Sequence, residues 1–225
     1  ATCYRRDGQQ PIIHMQCGPI SHSVKSKDIK QEISNFIIIP RMTKFICEWT
    51  GKSNIHDIWT KLINDEQRNK IIVDDIIKVV QSGRFPIILT ERREHLEILA
   101  DKLQSEIKHL VILYGGLKSK SRKEMLEKLF KCSNDETKAI LATGAYIGEG
   151  FDDARLDTLF ITMPISFKGR VVQYAGRLHR KYQSKKEVQI YDYVDQNVQV
   201  LARMYQKRLK TYKIIGYKIQ DNITI

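Results

Sequence analysis

The sequence predicts an α/β fold in which a parallel sheet carries helices on both faces. From Arg84 onward, apolar runs alternate with turns and amphipathic stretches, the pattern of parallel strands joined by crossover helices. Between the runs, apolar residues recur at helical spacing, as in Leu96, Leu99, Leu103 and Ile107. A chain of 225 residues is also long enough to bury a core without covalent staples.

Taken in order, 11–18 (Pro-Ile-Ile-His-Met-Gln-Cys-Gly) and 35–46 read as strands, the second with an edge or a bend at Pro40. Ile55, Ile58, Trp59 and Leu62 have helical spacing, as do Ile72, Ile76, Val79 and Val80 before the stop at Ser82-Gly83. Residues 85–89 form the next expected strand, with Thr90 as the cap of the helix that follows. Strands are expected at 110–113, 139–143, 159–163 and 188–194. Ser121 and Glu124 have the spacing of a capping box before the apolar face of Met125, Leu126, Leu129 and Phe130. Helices over 171–180 and 198–212 complete the pattern, which divides into an extension, 1–83, and a regular domain, 84–225.

Lys and Arg total 38 against 26 Asp and Glu, a net charge of +12 that favours a polyanionic partner such as nucleic acid. A solvated basic surface is the plainer alternative. The four cysteines, Cys3, Cys17, Cys47 and Cys132, lie far apart with no C-x-x-C pair. That spacing argues for a reduced, cytoplasmic compartment and for no metal held by protein ligands alone; His14, Cys17 and His22 lack a fourth partner at suitable spacing. No apolar run approaches the ~20 residues of a membrane span, and no signal peptide is evident, so no membrane partner is expected. The chain starts at Ala-Thr-Cys-Tyr without Met, which suggests a piece of a longer protein.

Trp-Thr-Gly-Lys-Ser (49–53) contains the Gly-Lys-Ser of a phosphate loop, but Ile46 stands where such a loop needs its first glycine, so the stretch reads as a polar turn. Asp74 and Asp75 read as the solvated face of a helix. The loop that starts at Thr143 is more telling. In an open α/β sheet, ligands lie beyond the carboxyl ends of the strands. There Gly144, Gly148 and Gly150 permit close approach of backbone, and Asp152 can accept from ribose hydroxyls. Further on, Arg177 and Arg180 have the spacing to share a helix face and converge on one phosphate, with Gly176 leaving room beside them.

These residues resemble a known family. Residues 143–152 are similar to motif V of superfamily 2 helicases, and Gln173, Gly176, Arg177 and Arg180 match the motif VI pattern Q-x-x-G-R-x-x-R. Residues 86–90 sit where the strand of motif IV belongs, and 1–8 resemble the end of motif III with Cys3 at the usual proline. The resemblance, to the branch that includes restriction-enzyme motors and DEAD/DEAH-box helicases, implies a C-terminal RecA-like domain. It implies ATP and Mg2+ as cofactors, with the Mg2+ ligands on an N-terminal RecA-like domain of the same full-length chain, and nucleic acid as partner, DNA in preference to RNA. By the same resemblance Arg177 and Arg180 act on the γ-phosphate, and Gly150, Asp152, Gln173 and Gly176 border the nucleotide. Thr90, Thr143 and Gly144 face nucleic acid, and this half alone is expected to be inactive. The basic residues Lys118, Lys120, Arg122, Lys123, Lys181, Lys185 and Lys186 are expected to add electrostatic contacts with nucleic acid. The alternative is a non-hydrolysing nucleic-acid-binding or regulatory module on the same fold; a small-molecule enzyme lacks a nucleophile and base in array.

Overall fold

The computed structural model describes residues 9–20, 35–48, 54–117, 119–133, 136–144, 153–166, 168–183 and 185–220. Its centre is a seven-stranded sheet in which every pairing is parallel, in the order β3-β4-β2-β5-β6-β1-β7. The strands are β1 (Asn35–Met42), β2 (Pro86–Thr90), β3 (His109–Leu113), β4 (Lys138–Thr143), β5 (Thr158–Ile161), β6 (Glu187–Val194) and the two-residue β7 (Lys218–Ile219). The helices are α1 (Gln10–Cys17), α2 (Ile55–Ile63), α3 (Glu66–Gln81), α4 (Arg93–Leu103), α5 (Ser119–Lys131), α6 (Lys168–Leu178) and α7 (Gln199–Ile214).

Alternation along the strands divides the core into two layers. Ile87, Leu89, Ile140 and Ala142 point to the face covered by α5, α6 and α7, through Leu129, Val171, Tyr174, Leu178 and Tyr212. Ile88, Ala139, Leu141 and Phe160 point to the opposite face, where Ile72, Ile76, Val79 and Val80 of α3 pack with Leu96, Leu99 and Leu103 of α4. A smaller cluster joins Ile58 and Leu62 of α2 to Met163 and Leu201. Helices α2 and α3 are both capped by side chains, Asn54 accepting from the His56 amide and Asp65 from the Arg68 amide.

The sheet is not confined to residues 84 onward. β1, inside the stretch read as an extension, pairs with β6 along its whole length, from Asn35 opposite Glu187 to Met42 opposite Val194. Pro40 does not break it. The Ile38 carbonyl accepts from the Gln220 amide, so Pro40, two residues on, turns its proton-less nitrogen to the same side, past the end of β7.

Several local expectations are corrected. Residues 11–18 are helical: Pro11 opens α1 and Gly18, at φ +77°, ends it, an assignment that apolar periodicity alone does not separate from a strand over so short a run. Ser121 is not a cap, because α5 already begins at Ser119. Arg92 occupies the N-cap of α4, while Thr90 ends β2 and its hydroxyl accepts from the Arg92 amide. Asp75 is buried rather than solvated, accepting from Arg41 Nε at 2.8 Å and from the Tyr193 hydroxyl at 3.1 Å. Burial raises its pKa, and the hydrogen bond from Arg41 works against that rise. No helix among the described residues is long and apolar enough to cross a membrane.

Candidate functional site

All strands being parallel, their carboxyl ends line one edge of the sheet; Thr90, Thr143 and Gly144 lie there, and α6 starts at this edge and runs back toward the amino ends, taking Arg177 and Arg180 with it. Thr90 and Thr143 are direct neighbours in the register of β2 and β4. Thr143 is half-buried, while Thr90 is 1% exposed. The Thr90 hydroxyl lies 3.0 Å from His95 Nδ1, and His95 Nε2 lies 3.0 Å from Asn69 Oδ1. Only one tautomer satisfies both contacts, with Thr90 donating to Nδ1 and Nε2 donating to the amide oxygen. Burial, aided by the charge of Arg68, brings the His95 pKa down to about 3, so the ring is neutral. The Thr90 side chain is therefore turned to the interior and fixes the strand end.

Gly144 follows Thr143 and meets a cluster that the sequence does not reveal. A Cβ there would stand 2.5 Å from Glu91 Oε1 and closer still to the Tyr174 hydroxyl. Glu91, just past β2, accepts from Arg170 at 2.5 Å and from the Tyr174 hydroxyl at 3.3 Å. Burial first and the Glu91 charge second raise the Tyr174 pKa, which keeps the phenol protonated as the donor. The start of the glycine loop, the end of β2 and the first turns of α6 thus meet at one carboxylate.

On α6 the residues divide cleanly by face. Val171, Tyr174, Ala175 and Leu178 are buried, whereas Gln173 and Gly176 are exposed and Arg177 is half-exposed. Arg180, two residues beyond the helix, is exposed as well. The spacing i, i+3, i+4, i+7 therefore forms one outward stripe. A Cβ at Gly176 would touch nothing within 4 Å, so packing inside this chain does not require glycine there.

Lys185, expected among the exposed basic residues, is instead 7% exposed. Its ammonium donates to the Leu178 carbonyl at 3.0 Å and to the Arg180 carbonyl at 2.8 Å. It thereby closes the turn that carries Arg180. Burial lowers its pKa to about 8, opposed by the charges of Asp157 and Asp153. Of the other expected basic contacts, Lys120, Lys123, Lys181 and Lys186 are exposed, and Lys118 and the side chain of Arg122 lie outside the described residues. Gly148, Gly150, Asp152, His22 and residues 49–53 also lie outside them, as does the stretch 1–8; His14 and Cys17 are exposed on α1.

Beside the cluster opens a cleft of about 330 Å³ lined by His56, Trp59, Glu91, Arg92, Met163, Arg170 and Met204, among others. Arg208 anchors its wall from within: it donates to both Asp192 carboxylate oxygens, at 2.8 and 2.7 Å, and to the Ile165 carbonyl at 2.9 Å. Trp59 and Met204 join this cleft through tertiary packing, and no sequence signal singles them out.

Comparison with known proteins identifies the family and the fold. The chain is 29% identical over 227 residues to "Putative helicase 161L" of Invertebrate iridescent virus 6, covering 96% of this chain and 48% of that protein. It is 25% identical over 198 residues to transcript termination protein A18 of Fowlpox virus, covering 84% of this chain and 42% of that one. The chain thus spans about half the length of the curated relatives it matches. Among solved structures, T4 UvsW superposes with a TM-score of 0.63 at 18% identity, over 82% of this chain and 40% of that one. Dbp5 of S. cerevisiae, bound to RNA and ADP BeF3, gives 0.61 at 11% identity, over 96% of this chain and 48% of that one. Residues 66–182, just over half the chain, match the family described as the helicase conserved C-terminal domain, and the chain belongs to that family.

Proposed function

We propose that this chain is the C-terminal half of an ATP-dependent nucleic-acid helicase or translocase, whose ATP site is completed by an N-terminal RecA-like domain of the same protein. The observation that carries the proposal is the outward stripe of Gln173, Gly176, Arg177 and Arg180 along α6 and the turn after it. Two guanidiniums on one face can pair with phosphoryl oxygens across a domain interface and stabilise the charge that develops during transfer. ATP with Mg2+ suits that donor set: the stripe offers two arginines for the γ-phosphate, and the Mg2+ ligands and phosphate loop are assigned to the other domain. Mg2+ would supply positive charge to offset that of the phosphates.

Nucleic acid is the polyanion that the basic chain suits. Trp59 in the cleft offers a ring for base stacking, with Arg92 and Arg170 on the rim for phosphates. DNA in preference to RNA remains part of the proposal, as do a cytoplasmic location and the contacts of Thr143, Gly144, Gly150 and Asp152.

The test is Arg180→Ala in the full-length protein. ATP turnover is expected to fall by ~10³ or more, with nucleic-acid affinity and thermal stability nearly unchanged. Normal turnover with lost nucleic-acid binding would instead favour a non-hydrolysing binding module.

A further inference from the structure

Far from the carboxyl edge, three ligand-type side chains meet at the amino ends of β3 and β4. His109 opens β3, Cys132 follows α5, and Glu136 lies just before β4; their ligand atoms all fall within 4.8 Å of one another, and each residue is half-buried. His109 Nε2 is buried, 3.2 Å from Glu136 Oε2, yet makes no hydrogen bond. Cys132 is not in a disulfide. We propose that His109, Cys132 and Glu136 form a binding site for a thiophilic divalent cation, zinc(II) by preference, that clips the edge strand β3 to the turn between α5 and β4.

The chemistry of the set points to zinc. A thiolate, an imidazole and a carboxylate are ordinary zinc ligands at ~2.0–2.3 Å, and the two anions offset the charge of one divalent ion. Atoms within 4.8 Å of one another need only a modest contraction to reach that geometry. The fourth tetrahedral position is left to water. Backbone donors hold the turn in place around these ligands, with the Ser133 amide donating to Glu136 Oε2 at 3.3 Å and the His109 amide donating to the Thr137 carbonyl at 3.0 Å. Lys108, 64% exposed, places its ammonium 2.5 Å from Glu136 Oε1, so a cation already sits against this carboxylate and a metal has to displace it. β3 ends the sheet, and its far end is four residue steps, about 13 Å at 3.3 Å per residue, from His109. The site would clip this edge of the sheet, and the proposal is independent of the function proposed above.

Cobalt(II) replaces zinc in such sites and reports thiolate ligation by a charge-transfer band. Titrated into the chelator-treated 225-residue chain, it is expected to give that band at one equivalent, and zinc(II) is expected to abolish it. His109→Gln and Glu136→Gln are expected to weaken cobalt binding by about tenfold or more, Lys108→Ala to strengthen it, and Cys132→Ser to remove the band. Because Cys132→Ser can also alter folding, the chain carrying Cys3→Ser, Cys17→Ser and Cys47→Ser together, in which Cys132 is the sole thiol, must keep the band. Absence of the band from the parent chain, its loss in the triple variant, or its survival in Cys132→Ser overturns the proposal.

Discussion

Replacing Lys185 by Met separates the stability of the fold from the placement of Arg180. The variant keeps the length of the side chain and removes the ammonium that donates to the Leu178 and Arg180 carbonyls. Burial lowers the lysine pKa from 10.5 to about 8, which corresponds to roughly 3 kcal/mol disfavouring the charged form in the fold. Against this relief, Met leaves two carbonyls without their donor, at ~1–3 kcal/mol each if water does not reach them. The two effects are of similar size and opposite sign, so the melting temperature should change little. Function should not be so tolerant. The turn after α6 loses both ties, and a displacement near 1 Å of a catalytic group can cost ~10² in rate. In the full-length protein, kcat for ATP is expected to fall about 10- to 100-fold with KM nearly constant. The pH dependence supplies an independent check. The folded pKa lies below the unfolded value, so the unfolded chain binds more protons between the two; wild type therefore gains stability relative to Lys185→Met as pH rises from about 8 toward 10.5. Unchanged turnover, or a melting temperature that collapses in the variant at neutral pH, would refute the positioning role.

His95 gives an acid-side counterpart: its pKa of about 3 lies below the usual 6.5, so its contribution to stability is complete above 6.5 and is lost as pH falls toward 3. Urea unfolding should show a loss of about 2 kcal/mol between pH 7 and pH 5, absent in His95→Gln; an equal loss in the variant would sink this assignment. Gly144→Ala forces its new methyl against Tyr174 and Glu91 and should cost about 1–3 kcal/mol, with Tyr174→Phe restoring part of the loss in the double variant. A chain cut to 84–225 loses β1 and α3, including Ile72, Ile76, Val79 and Val80. At ~1.5–3 kcal/mol for each buried side chain, that rivals the whole stability of a domain, so calorimetry should find no cooperative transition, whereas 35–225 should keep one.

The sheet is legible in the sequence because strands covered on both faces carry unbroken apolar runs: β2, β4 and β5 lie within a residue or two of their expected limits. The outward motif on α6 is legible for the opposite reason, since its polar side chains are not explained by packing. Charges that go inside are not legible. Lys185, Asp75, Arg68 and Asp195 are written like surface residues, and their burial follows only from partners far along the chain, as when Arg68 donates to Asp195 at 2.8 Å with both side chains fully buried. The Glu91 cluster is hidden likewise, because Arg170 and Tyr174 reach it through the crossover that lays α6 on the sheet.

Helix α6 is tied at both ends to different strands, and this bears on how a nucleotide could be felt by nucleic acid. Its first turns are held through Arg170 and Tyr174 to Glu91, which follows β2; its last carbonyl and the Arg180 turn are held by Lys185, which precedes β6. Between these ties the buried face packs on the sheet, so the helix has no independent hinge. A displacement of Arg177 or Arg180 along the helix axis would bear on Glu91, and Glu91 abuts Gly144 at the entrance of the glycine loop. The path from the arginines proposed to face phosphate to the loop that the helicase resemblance assigns to nucleic acid consists of one helix and one carboxylate. That makes Glu91 the element at which the two sites would be uncoupled without removing a group from either.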